Sequence, residues 1–321
     1  MTIFAEPLEP NPVVAEVVRS GFTESWHRGA VAGLAADGTQ VIDVGHTAVP
    51  CFPRSANKPL QAAAMLRQGL DLDGELLALA AASHSGEDLH IDGVHKILSG
   101  AGLAEDHLRC PASWPLDPET TRRIIARGGD ATRIRMNCSG KHAAMLATCV
   151  RNGWPTGTYT DPGHPLQVAI RDTVEELTGQ RVAATGVDGC GAPLFALTLA
   201  GLAAAFRKLV LAPPGTAERR VADAMRAYPV WTSGTTRDER YLMDAVPGLL
   251  VKGGAEGVVA FALADGRAGA LKIDDGMARG RTPVTVAALR RLGITVPDHL
   301  ATVPVTGGEA VVGMVRAAAG L

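Results

Sequence analysis

Residues 248–273 read GLLVKGGAEGVVAFALADGRAGALKI, and this stretch decides the fold. Three apolar runs, 248–252, 257–264 and 268–273, have strand length, and Gly253-Gly254 and Asp265-Gly266 punctuate them. Such spacing predicts a three-stranded antiparallel meander. The other end of the chain has the same character. VVAEVV (13–18), AVAGLA (30–35) and QVIDV (40–44) read as strands, with Asp37-Gly38 as a hairpin turn. Between the two ends the pattern is helical, over 56–68, 75–82, 92–101, 118–127, 140–151, 164–178, 193–208 and 216–227. A last helix is expected over 284–292. The economical solution is an α+β (mixed α/β) fold, in which one antiparallel sheet built from both termini packs with helices. A sheet lobe is expected from about 12–50 and 245–321, with a helical lobe of about 55–230 inserted, all in a single domain of 1–321.

Composition narrows the function. With 321 residues and 46% hydrophobic residues, the chain can bury a sizeable core. A formal charge of −2 offers nothing to nucleic acid or to anionic membrane, and 4% aromatics give base stacking little to build on. The first residues, MTIFAEPLEPNP, have neither a basic region nor an apolar run, so no secretory signal is expected. Five cysteines without scaffold spacing point to a reducing, cytoplasmic setting.

Four stretches carry chemistry. In RSANKP (54–59), Ser55 and Lys58 form S-x-x-K, and positions i and i+3 share a helix face. A neutral lysine there can take the serine proton, and the helix start aims backbone N–H groups at the hydroxyl. An ordinary N-cap serine with a surface lysine has the same spacing. Lys252-Gly253-Gly254 sits at a strand end, as K-T-G does beside the S-x-x-K helix of serine acylases, with Gly in place of Thr. The polar break ASHSGE (82–87) interrupts an apolar helix. It makes Ser83 a candidate proton shuttle and His84 a candidate substrate contact, although a capped helix end would look alike. Finally, NCSGKH (137–142) and GVDGCG (186–191) place Cys138, Lys141 and Cys190 in glycine-rich turns. By spacing alone these cysteines read as buried structural thiols, because two cysteines do not complete a tetrahedral metal site.

Together these strings resemble the asparaginase II family, the rhizobial-type L-asparaginases. The matching stretches include ESWHRGAVAGLAADG (24–38), RSANKP, ASHSGE, NCSGKHAAML (137–146), DPGHPLQ (161–167), VDGCGAP (187–193), KGGAEG (252–257) and LKIDDG (271–276). They occur in the family's order. The resemblance implies a serine β-lactamase-like and glutaminase-like fold, a homodimer, and L-asparagine as substrate, hydrolysed to L-aspartate and ammonia. It implies two Ser–Lys couples, Ser55 with Lys58 and Ser83 with Lys252. It also implies a zinc held by Cys138, Lys141 and Cys190, which replaces the structural-thiol reading. Charge complementarity then assigns the substrate α-carboxylate to Arg54 or the zinc centre and the α-ammonium to Asp188. The rival readings are a glutaminase or β-lactam-recognising hydrolase on the same scaffold, and a zinc- or ligand-binding protein without activity. Paired lysines, for which a binding module has no need, argue against the last.

Overall fold

A computed structural model describes residues 9–321. The chain opens with strands β1 (Val13–Arg19), β2 (Phe22–Leu34) and β3 (Gln40–Val44). The helical region follows: α1 (Lys58–Arg67), α2 (Gly74–Ala80), α3 (Asp88–Gly100), α4 (Pro118–Ala126), α5 (Ser139–Asn152) and α6 (Pro165–Thr178). A short hairpin of β4 (Thr185–Val187) and β5 (Pro193–Phe195) precedes α7 (Leu199–Leu211), α8 (Ala217–Ala227), α9 (Pro229–Thr232) and α10 (Asp238–Ala245). The chain then returns to sheet: β6 (Leu250–Gly253), β7 (Val258–Ala262) and β8 (Ala268–Ile273), then α11 (Arg281–Arg291) and a final hairpin of β9 (Thr302–Gly307) and β10 (Ala310–Ala317).

The large sheet runs β6-β7-β8-β2-β1-β10-β9, with β3 also paired to β2. Every pairing in it is antiparallel. Strands from the two ends of the chain meet where β2 pairs β8, Val31 opposite Leu271, and where β1 pairs β10, Val17 opposite Val315. The sheet is covered on both faces, which explains why VVAFA and AGALKI read as continuous apolar runs. Successive residues of a strand point to opposite faces. On β7, Val258, Ala260 and Ala262 therefore join the core shared with the helical region, and Val259 and Phe261 join the core beneath α10 and α11. Alanines on the helical side let α7 lie close against β2, β7 and β8.

Four elements depart from the sequence expectation. The helix expected over 193–208 begins only at Leu199, capped by Thr198, whose Oγ1 accepts the Gly201 amide at 3.0 Å. Pro193–Phe195 pairs with Thr185–Val187 instead. Strand β2 is 13 residues long because its polar first half alternates exposed and covered positions against β1, a pattern that an apolar-run criterion misses. The hairpin Thr302–Ala317 was not anticipated, since its residues are half exposed and polar-mixed. The S-x-x-K segment starts as a 3-10 turn over Arg54–Asn57, and α-helix begins at Lys58 with Pro59 in the first turn.

Candidate active site

The period of two along β6 aims Lys252 at the helical region. It shares a face with Leu250 and lies opposite Ala260 of β7, both in the helix-side core. The start of α1 is seated on the end of β6. A Cβ on Gly254 would lie 2.5 Å from the Pro53 carbonyl oxygen, 3.1 Å from the Ala56 nitrogen and 3.3 Å from the Ser55 nitrogen. A threonine-sized side chain has no room next door either, because a Cβ on Gly253 would sit 2.4 Å from Glu239 Oε1. The glycine pair is therefore what brings Ser55 against the lysine strand.

Ser83 enters from α2. The helix ends at Ala80, and the polar break that follows is pinned from two sides: the Ser83 amide donates to Thr232 O at 3.2 Å and the His84 amide to Asn137 O at 3.1 Å. The hydroxyl of Ser83 lies between two lysines. Lys58 Nζ stands 3.0 Å from Ser83 Oγ and donates to Ala82 O at 2.6 Å. Lys252 Nζ stands 2.9 Å from the same oxygen and 2.7 Å from Gly253 O. Both lysines are 1% exposed. Burial and the neighbouring Lys58 push the Lys252 amine down to about 7. Ser55 lines the same cavity, but among the described residues the Lys58 amine bonds Ser83 and not Ser55. Lys58 is the first α-helical residue, and its amine reaches the end of α2 at Ser83 and Ala82 although Ser55 lies three positions away.

The cavity has a volume of about 350 Å³ and opens between the lysine strand, the α1 start and the Asp188 turn. Arg54 and Asp188 form part of its wall and pair with each other, Arg54 Nε donating to Asp188 Oδ1 at 2.8 Å. Arg54 has φ +51°, in the left-handed region where a side chain is strained. His84 is a correction. It is fully buried behind the wall and does not line the cavity. Its Nδ1 accepts the Gly86 amide at 3.1 Å, and its Nε2 donates to Ser139 Oγ at 2.9 Å. Burial, with His90 and Lys58 nearby, holds it well below the usual imidazole value. It fixes the polar break to the start of α5.

Cys138 and Cys190 converge on the same cavity from turns distant in sequence. Cys138 Sγ donates to Asn137 Oδ1 at 3.0 Å; the neighbouring Cys138 thiol, and Lys141 beside it, lower the Cys190 thiol despite burial and leave a thiolate facing Lys141. Lys141 Nζ is 3.2 Å from Cys190 Sγ, and although burial opposes it, the Cys190 and Cys138 sulfurs hold that amine above its usual value. His142 was missed in the sequence. Tyr159 Oη accepts the Arg109 amide at 2.9 Å and lies 2.7 Å from His142 Nδ1, leaving His142 Nε2–H to face the Cys190 thiolate. Its one signal was its position four residues after Cys138. Among the described residues no group of three or more His, Cys, Asp or Glu converges as a metal site. Two sulfurs and an amine do converge, a donor set that suits a thiophilic divalent ion once Lys141 gives up its proton. Arg237 and Arg281, also unanticipated, line the wall near Gly253 and Gly254.

No helix among the described residues is long and apolar enough to cross a membrane. Solved structures with likeness to this chain include Mglu in its tris and glutamate form, 18% identical over 88% of this chain and 63% of that one, with a TM-score of 0.38. A β-lactamase from Mycobacterium bovis is 15% identical over 82% of this chain and 94% of that one, with a TM-score of 0.42. A Bacillus glutaminase is 12% identical over 84% and 92%, with a TM-score of 0.41. The chain thus spans less than two thirds of the length of Mglu. No curated protein matches it. The sequence profile of L-asparaginase II matches residues 15–317, nearly the whole of a chain whose lysine-bridged serine lies beside an S-x-x-K turn, and the protein belongs to the L-asparaginase II family.

Proposed function

We propose that this amidohydrolase cleaves the side-chain amide of L-asparagine through a serine acyl-enzyme. One observation carries the reading: Ser83 Oγ lies within hydrogen-bond reach of both Lys58 and Lys252, in a cavity that Ser55 also lines. Ser55 attacks the amide carbon, and Lys58 receives its proton. The Ser55 amide, at the start of the 3-10 turn, would donate to the oxygen that becomes negative. The C–N bond breaks, and the proton that Lys58 took from Ser55 passes through Ser83 to neutral Lys252 and on to the departing ammonia. A lysine near 7 holds and releases a proton around neutral pH, as a general acid–base group requires. Water then takes the place of ammonia and attacks the acyl carbon, and the same relay carries its proton back to Ser55 Oγ as the ester bond breaks and aspartate leaves.

The zinc of this reading would be held by Cys138, Lys141 and Cys190, bordering the substrate, where it would polarise a bound oxygen. The chain's own residues there keep one thiolate charged beside the cavity. A homodimer and a cytoplasmic setting belong to the same reading; five free cysteines support the second, and sedimentation tests the first.

A second reading has specific support. Because both lysines touch Ser83 and not Ser55, Ser83 itself can be the acylated residue. Ammonia release is measured on asparagine and glutamine, with a chromogenic β-lactam alongside. One methylene in a pocket discriminates by only about 1–3 kcal/mol, so some glutamine turnover is expected. No ammonia from asparagine, or faster turnover of either other compound, overturns the proposal.

A further inference from the structure

We infer that Arg237 and Arg281 form an anion subsite of the cavity, which takes the α-carboxylate of the substrate. The inference rests on the asparaginase reading for the identity of the ligand and not for the existence of the subsite.

The case begins with what each guanidinium already holds. Arg54, the residue that charge complementarity first suggested, donates to Asp188 at 2.8 Å and has Glu256 at 3.7 Å. Its charge is answered twice. Among the described residues Arg237 pairs with Glu239 alone, at 3.4 Å, and the carboxylate that Arg281 reaches is Asp238, also at 3.4 Å. These are long contacts. The Nε atoms of both Arg237 and Arg281 are buried without an acceptor among the described residues. A buried donor without a partner is costly, and a carboxylate is the acceptor that suits a planar guanidinium.

This wall carries Arg237, Arg281 and Lys252 against Asp238 and Glu239. Burial and the adjacent Glu239 push Asp238 up to about 6. Burial works against Glu239 as well, but Arg237 holds it charged, well below the usual carboxylate range. Both guanidiniums line the cavity beside Ser55 and Ser83 while their own carboxylate contacts stay long. The wall is also firmly built. Arg281 Nη1 donates to Gly254 O at 3.0 Å and so ties α11 to the end of the lysine strand, and Thr282 Oγ1 donates to Asp238 Oδ2 at 2.7 Å. Arg237 precedes α10 and Arg281 begins α11, so two separate helices place the two guanidiniums on one side of the cavity. An α-carboxylate held there, with the α-ammonium toward Asp188, would present the side-chain amide to the serines. Arg54 would then serve to orient Asp188.

Calorimetric binding tests this without turnover. The parent is the full chain carrying Ser55→Ala, titrated with L-asparagine and separately with succinate. Adding Arg237→Met should weaken asparagine about 10- to 100-fold, the worth of one charge-assisted hydrogen bond. Arg237→Lys should recover part of the loss, which a merely structural role would not, and Arg54→Met should lose less than Arg237→Met. Thermal melting confirms that each variant is folded. Equal asparagine affinity with and without Arg237 overturns the subsite and leaves the asparaginase reading intact. A larger loss from Arg54→Met also overturns it. If the parent ignores asparagine but binds succinate in an Arg237-dependent way, the subsite stands and the substrate reading falls. Binding of neither ligand overturns both.

Discussion

Lys252 Nζ lies 2.9 Å from Ser83 Oγ although 169 positions separate the two residues in sequence. The contact forms because β6 is paired through β7 and β8 to β2, while the polar break after α2 is pinned beside it. Its pH consequence is direct. With Lys252 at about 7, below the ordinary lysine value of 10.5, kcat/KM should rise with pH through about 7 as the amine becomes free to accept a proton. The sign for stability is the same. Between about 7 and 10.5 the unfolded chain binds the proton that the folded chain has lost, so stability rises with pH in that window. Lys252→Met should flatten both slopes and lower turnover about 100-fold or more. A pH–rate profile unchanged by the substitution would remove Lys252 from the proton relay.

Ser55→Ala and Ser83→Ala should each cost several orders of magnitude in turnover with little loss of stability. Mass spectrometry of a denatured, acyl-trapped enzyme tells them apart. A covalent adduct on the peptide containing Ser55 supports the first mechanism, and one on the Ser83 peptide supports the second. Retention of activity within about tenfold by Ser55→Ala would move the nucleophile to Ser83.

Cys190→Ser should lower the metal content of the purified protein and also destabilise it by about 3–5 kcal/mol, because it leaves the Lys141 ammonium buried opposite no thiolate. Cys138→Ser should lower metal content with a smaller stability loss, since the neighbouring Cys190 and burial keep Cys138 a neutral thiol that does not supply the charge facing Lys141. Elemental analysis and denaturant melts measure the two effects separately. Equal metal content in all three proteins would exclude these sulfurs as ligands.

Gly254→Ala tests how the lysine strand seats the serine. The added Cβ meets backbone atoms of Pro53, Ala56 and Ser55, none of which can move as a side chain would. We expect a loss of about 1–3 kcal/mol in stability, as for overpacking elsewhere, and a larger proportional loss in kcat than in affinity. Wild-type kcat would mean that Ser55 does not depend on this contact.

His84→Gln separates a positioning role from substrate contact. With both ring nitrogens bonded inside the protein, His84 should matter for melting temperature and leave KM for asparagine unchanged. A selective rise in KM without destabilisation would return His84 to the substrate.

What the sequence determined by itself was the set of groups whose identity is local. Turn signals such as Asp37-Gly38 and Gly253-Gly254, short apolar runs of strand length, and the apolar helices placed a sheet at both ends and helices between them. Strings such as RSANKP, ASHSGE and KGGAEG marked Ser55 and Ser83, which line the cavity, and Lys58 and Lys252, which reach Ser83. What only the tertiary structure decided was partnership. Ser55 and Lys58 are three positions apart, yet the Lys58 amine bonds Ser83. Arg237 and Arg281 carry no motif, and each reads as a surface charge until two helices fold them onto one wall. His84 stands in a conspicuous motif and is buried behind the site. Residue type and local periodicity are written along the chain, whereas the direction and partner of a long side chain depend on packing between segments distant in sequence, which no local pattern encodes.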